Sequence, residues 1–163
     1  MSTTYYIYKK LPEEVKAEIK NLMDADDYAN AVILFDENTK KTDLGHRAGG
    51  WKFSWNPYCL FLKELSREGI REMVLDKDYV IIDEYSDIID NEEFLDMAFG
   101  WDDNNTCTSD VYIKEHPELE PWDMSPRQDC LNLYLSKTFG IEVKFPSRYS
   151  YDFIKDGLRW SIS

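Results

Sequence analysis

Apolar residues recur along the chain in two rhythms, and the switches between them mark out the elements. Thr4–Lys9 carries Tyr5, Tyr6, Ile7 and Tyr8, an aromatic and β-branched run that predicts a strand. Pro12 with Glu13 and Glu14 supplies an N-terminal proline and first-turn acids, and Val15, Ile19, Leu22 and Met23 follow at helical spacing. The pattern predicts an amphipathic helix to about Tyr28. Ala31–Phe35, a short apolar run closed by the polar residues Asp36 to Lys41, is predicted as a buried strand. Leu44–Arg47 and Trp51–Trp55 then predict a hairpin across Ala48, Gly49 and Gly50, because glycines supply the positive φ of a tight turn. Trp51, Phe53 and Trp55 alternate there with Lys52 and Ser54, giving one aromatic and one polar face.

Further on, Tyr58–Leu65 and Ser66–Val74 predict helices, with Ser66 capping the second and Gly69 weakening its interior. Tyr79–Ile82 reads as a strand. Asp90 or Asn91 caps a helix with Glu92 and Glu93 in its first turn and Phe94, Met97 and Ala98 on one face, until Gly100 stops it. Trp101–Pro126 lacks a strong period and reads as an exposed connection interrupted by a short strand, Val111–Lys114. Ser125 and Pro126 start a helix that Gly140 ends, and Ile141–Phe145 and Leu158–Ile162 complete the strands. The expected fold is α+β: a single compact domain over residues 1–163, with an antiparallel or mixed sheet and three to five helices.

Composition agrees with one domain, since 163 residues with 43% apolar and 15% aromatic side chains suffice for a core. No run approaches the roughly 18 apolar residues of a membrane span. Met1–Lys10 lacks a basic flank followed by an apolar core, so no secretory signal is read and the expected location is the cytoplasm. Cys59, Cys107 and Cys130 form neither a disulfide framework nor a paired metal motif.

Charge changes the picture most. The formal net charge is −13, which opposes direct nucleic-acid binding. Residues 1–63 are neutral, with nine acids and nine bases, whereas residues 64–129 hold 20 acids against five bases. This block is also the one expected to be partly irregular. Carboxylates spread over a rigid face can imitate the phosphates of a nucleic acid and compete for a cationic groove. The residues assigned to such a surface are Asp83, Glu84, Asp87, Asp90, Glu92, Glu93, Asp96, Asp102 and Asp103, with Trp101, Tyr112 and Trp122 as aromatic anchors.

Thr4 to Tyr8, Leu44 to Phe53 with its His46…Gly49-Gly50-Trp51, and Val80 to Tyr85 followed by Asn91 to Phe94 together resemble a family of small, uncharacterised proteins encoded by tailed bacteriophages. Relatives show a YYxY-like start, an HIGKxSxGWxF-like core and an IxDEYG…FEEF-like ending, and the match covers roughly residues 1–100. Many carry a CxxC, half a zinc site, near the N-terminus; this chain lacks it and the Lys-Ser of the core motif. The resemblance implies phage origin and no particular biochemistry.

The expected function is therefore binding, without catalysis or cofactor: inhibition of a basic host protein that handles nucleic acid, such as a restriction or CRISPR nuclease. An immunity protein against a basic toxin would use the same electrostatics. The alternative is a small enzyme or ligand-binding protein with His46, Gly49, Gly50, Trp51 and Asp83 around the glycine turn. Against it, Trp51 and Phe53 also suit a core, and no P-loop, GxSxG, HExxH or GxGxxG is present. Asp102 to Asn105 lacks the spacing of a calcium loop, and His46, His116 and the three cysteines lack that of a zinc site.

Overall fold

The computed structural model describes residues 2–116, 125–145 and 150–161. Among them, six helices and a seven-stranded mixed sheet form one α+β domain. In chain order these are β1 (Ser2–Lys9), α1 (Glu13–Asp24), α2 (Tyr28–Thr39), β2 (Thr42–Ala48), β3 (Ser54–Trp55), α3 (Arg67–Leu75), β4 (Tyr79–Asp83), β5 (Ile88–Ile89), α4 (Asn91–Asn104), α5 (Ser109–Glu115), α6 (Pro126–Phe139), β6 (Asp152–Lys155) and β7 (Leu158–Ser161). The sheet order is β5-β4-β1-β2-β3-β7-β6, antiparallel except for the β3–β7 pair. A parallel pair needs a long crossover, and residues 56–157, with α3 to α6, supply it.

One sheet face carries the core. Tyr5 and Ile7 of β1, Leu44 of β2, Trp55 of β3 and Ile81 of β4 pack with Ile70, Val74, Phe94, Ala98, Leu131 and Leu135 from α3, α4 and α6. The opposite face carries Thr4, Tyr6 and Tyr8 from β1, with His46, Ser54 and Arg159 in register across β2, β3 and β7. At Gly45 β1 and β2 shift register, and a Cβ there would lie 2.3 Å from the Ser54 carbonyl oxygen of β3, so glycine is what lets β3 close on β2.

The expected caps are in place. Ser66 Oγ accepts the Gly69 N–H, the Asp90 carboxylate accepts the Glu93 N–H, and Ser125 and Gln128 form a capping box before α6, which ends at Gly140 in the left-handed conformation. Gly69 does more than weaken α3: a Cβ there would meet the Glu64 carbonyl oxygen at 2.5 Å, so the close turn before the helix requires it.

Other expectations are corrected. Ala31–Phe35 is helix, not buried strand: Asp27 caps α2, and only Ala31 and Thr39 of that helix are buried. The first helix stops at Asp24, and Asp26 turns the chain with a positive φ. Tyr58–Leu65 is a succession of turns from Asn56 to Cys59 and Cys59 to Leu62 rather than a helix. Gly100 does not end α4: Trp101 donates to the Trp51 carbonyl, Asp102 accepts from Trp55 of β3, and the helix runs on to Asn104. Val111–Lys114 belongs to α5. Ile141–Phe145 is not a strand; the Asn132 amide takes the place of a neighbouring strand by bonding both the Val143 N–H and its carbonyl. The supposed polar face of the hairpin is closed as well, since Ser54 is buried against Ser161. No helix among the described residues is long and apolar enough to cross a membrane.

Candidate functional site

The acids of the central block collect where the sheet ends. Between β4 and β5 the chain reverses in a tight turn: the Asp83 N–H donates to the Asp87 carbonyl at 3.1 Å, and Asp83 Oδ1 accepts the Tyr85 and Asp87 N–H groups, each at 2.9 Å. Asp83 is therefore the organiser of the turn. Glu84 and Asp87 extend from it into solvent, and the Thr4 N–H donates to Glu84 Oε1 at 3.4 Å. Asp90 caps α4, and because Phe94, Leu95 and Ala98 turn inward, Glu92, Glu93 and Asp96 turn outward. None of Glu84, Asp87, Asp90, Glu92, Glu93 and Asp96 has an ion-pair partner among the described residues.

Three assignments change. Asp102 is fully buried, with Oδ2 accepting the Trp55 indole N–H at 3.0 Å, so it is no part of a surface. Asp103 is exposed but lies 3.6 Å from the Arg67 guanidinium, which offsets its charge. Trp101 is half-buried, donates its indole N–H to the Trp51 carbonyl and lies under the Arg47 guanidinium. Tyr112 stays exposed on α5, next to Trp51; Trp122 lies outside the described residues.

Two anchors were missed. Tyr85 is 66% and Ile88 78% exposed, on the same turn as Glu84 and Asp87. The signal was present: Ile81-Ile82 and Ile88-Ile89 bracket Asp83 to Asp87 as two arms bracket a hairpin loop. Beside the turn lies an open groove of about 520 Å³, lined by Leu75, Val80, Ile88 and Ile89 and edged by Asp90 and Glu92 together with Lys10 and Lys77. Glu68 and Glu72 of α3, Asp76 and Asp78 add further exposed carboxylates of the same block.

The alternative site is not assembled. Asp83 pairs in register with Tyr5, on the core side, whereas His46 pairs with Thr4, on the opposite side of the sheet. Trp51 is held between the Arg159 guanidinium, 4.9 Å from its ring, and Tyr112. Gly49 and Gly50 make the turn, Gly50 with φ of 81°. Burial pushes the His46 imidazole below its ordinary value, helped by the Arg159 charge and opposed by Asp43. Sequence reasoning also missed the Arg159–Asp152 pair, with Nε to Oδ2 at 2.7 Å, which joins β6 and β7 and fastens Lys52 and Ser109 to them. Its members lie on the two arms of the hairpin that Asp156 and Gly157 close. Cys59 is buried, and burial pushes its thiol up to about 11, while Cys130 is exposed. Among the described residues no group of three or more His, Cys, Asp or Glu is placed to hold a metal ion.

Compared with models of protein families, with curated proteins and with solved structures, the chain matches none.

Proposed function

We propose that this protein acts by binding a cationic protein surface through the edge formed by the β4–β5 turn and the start of α4. The observation that carries the reading is a set of exposed carboxylates, without ion-pair partners among the described residues, on the same turn and helix start as two exposed apolar anchors, Tyr85 and Ile88, the turn being fixed by its own hydrogen bonds. Charge steers a basic partner to such a surface, and the aromatic and aliphatic anchors supply the contact once water is excluded. Little order has to be gained on binding, because the turn is already set.

The partner class follows from the charge. A surface that attracts Lys and Arg competes with phosphates for a nucleic-acid channel, so the proposed target is a nucleic-acid-handling or defence nuclease of a bacterial host, met in its cytoplasm by a phage protein that inhibits it. Neutralisation of a basic toxin uses the same surface and differs only in the captured partner.

The test separates charge from stability. Asp90 is unsuitable for reversal because it caps α4, and reversing Glu92 or Glu93 places a cation at the positive end of the helix. Glu84→Lys, Asp87→Lys and Asp96→Lys avoid both effects. The triple variant is expected to keep its circular dichroism spectrum and melting temperature to within a few degrees, and to lose about 100-fold or more in affinity for a basic protein captured from bacterial lysate. Undiminished capture by this variant would remove the proposal.

A further inference from the structure

We infer that the cavity at the outer edge of β6 binds a small zwitterion of the α-amino-acid class, its ammonium held by Asp152 and Asp110, its carboxylate by Lys144 and its apolar side chain by Phe145 and Phe153. β6 closes the sheet at the end opposite β5, so this site is separate from the acidic edge. The cavity measures about 300 Å³. That is the volume of about ten water molecules, and hence of a ligand with about as many heavy atoms. Asp152 and Ile154 project from one face of β6 and Phe153 from the other, and all three line the cavity. It therefore lies over the edge of the strand that faces away from β7.

The charges around it do not satisfy one another. The Asp152 side chain is only 4% exposed, and its Oδ2 takes both available donors, Arg159 Nε at 2.7 Å and the Ser109 N–H at 3.4 Å. Oδ1 is left without a donor among the described residues. Asp110 accepts the Thr108 hydroxyl through its Oδ1 alone. Lys144 lines the same cavity, yet among the described residues it forms no ion pair with either carboxylate. A ligand of one charge sign would be attracted by one side of the cavity and repelled by the other, whereas a zwitterion meets both. A buried acceptor without a donor is costly, so an ammonium brought to Asp152 Oδ1 recovers that cost on binding. Phe145 and Phe153, edge-on at 6.2 Å, form the apolar wall together with Ile154. The Thr108 and Arg159 contacts hold both carboxylates in place before the ligand arrives, so little order is lost on binding.

Titration of the isotope-labelled full chain with L-leucine, L-methionine and L-phenylalanine, each to about 20 mM and followed by backbone amide NMR shifts, tests this. At least one is expected to bind with a Kd of about 1 mM or tighter and to shift the amides of Thr108, Asp110, Phe145 and Phe153. The matching amine without the carboxylate and the matching acid without the amine are expected to bind about tenfold or more weakly. Lys144→Gln, at an exposed position, is expected to weaken the amino acid about tenfold without weakening the amine. Asp110→Asn still accepts the Thr108 hydroxyl and is expected to weaken both, as is Asp152→Asn. Because Asp152→Asn also loosens the Arg159 pair, Asp110→Asn and Lys144→Gln decide the case if that variant fails to fold by circular dichroism. No shift from any of the three amino acids, shifts confined to other parts of the chain, equal affinity for the amine or the acid, or affinity unchanged by Asp110→Asn and Lys144→Gln overturns the proposal.

Discussion

Phe94→Ala is expected to cost about 3–5 kcal/mol of folding stability, a large share of what a domain of this size possesses. Phe94 is fully buried on α4, and its ring lies 5.2 Å from Tyr5, 5.8 Å from Phe53 and 5.9 Å from Trp55. It thus joins the helix that carries Glu92, Glu93 and Asp96 to β1 and β3, the strands of the aromatic core. Alanine leaves a cavity among stiff rings that cannot collapse into it, so both the transfer loss and the cavity loss apply. Equilibrium urea unfolding measures the difference. A loss below about 1 kcal/mol would mean that the rings are not packed as described.

The second large effect is one of pH. Burial pushes the Asp102 carboxyl from its ordinary 3.8 up to about 6, and the Trp55 hydrogen bond with the nearby Lys52 and Arg67 charges only partly offsets it. Oδ1 has no hydrogen-bond partner among the described residues. Because the folded form holds this proton more tightly than the unfolded one, its contribution is fully present below about pH 4 and is lost as pH rises through about 6. The loss amounts to about 3 kcal/mol. Asparagine keeps an oxygen for the Trp55 indole and does not titrate. Asp102→Asn is therefore expected to gain on the parent by about 2 kcal/mol between pH 4.5 and 7.5, read as the change in the stability difference between the two proteins. A difference that is constant with pH would show that the carboxyl titrates normally.

The elements with explicit end signals were legible in the sequence. Ser66, Asp90 and the Ser125-Pro126 pair announce their helices, and Gly140 closes the last one, because capping is local chemistry. Ala31–Phe35 was not, since a short apolar run has no period to distinguish strand from helix and α2 places half of it in water. β6 and the Arg159–Asp152 pair were legible but went unread: Asp156-Gly157, both with positive φ, close a two-residue hairpin that pairs Lys155 with Leu158, and such a turn fixes the register of its arms.

The candidate surface was read in part. Its acids were found from the charge block, but a charge count cannot separate an exposed carboxylate from a buried one. Spacing could have: Asp102 falls four residues after Ala98 and eight after Phe94, on the buried side of a helix that Gly100 was taken to end. Tyr85 and Ile88 were overlooked because the strand was read as stopping at Ile82, before the turn that displays them.

The most direct test of the acidic-edge account is capture from bacterial lysate at low salt, with the parent and the Glu84→Lys, Asp87→Lys, Asp96→Lys variant immobilised side by side. Bound proteins are eluted in salt steps, identified by mass spectrometry, and challenged with duplex DNA. The account predicts a basic nucleic-acid-binding protein that is held by the parent alone, released between about 0.2 and 0.5 M salt as screening sets in, and displaced by the DNA. The same proteins on both surfaces, or no basic protein on the parent, would contradict it.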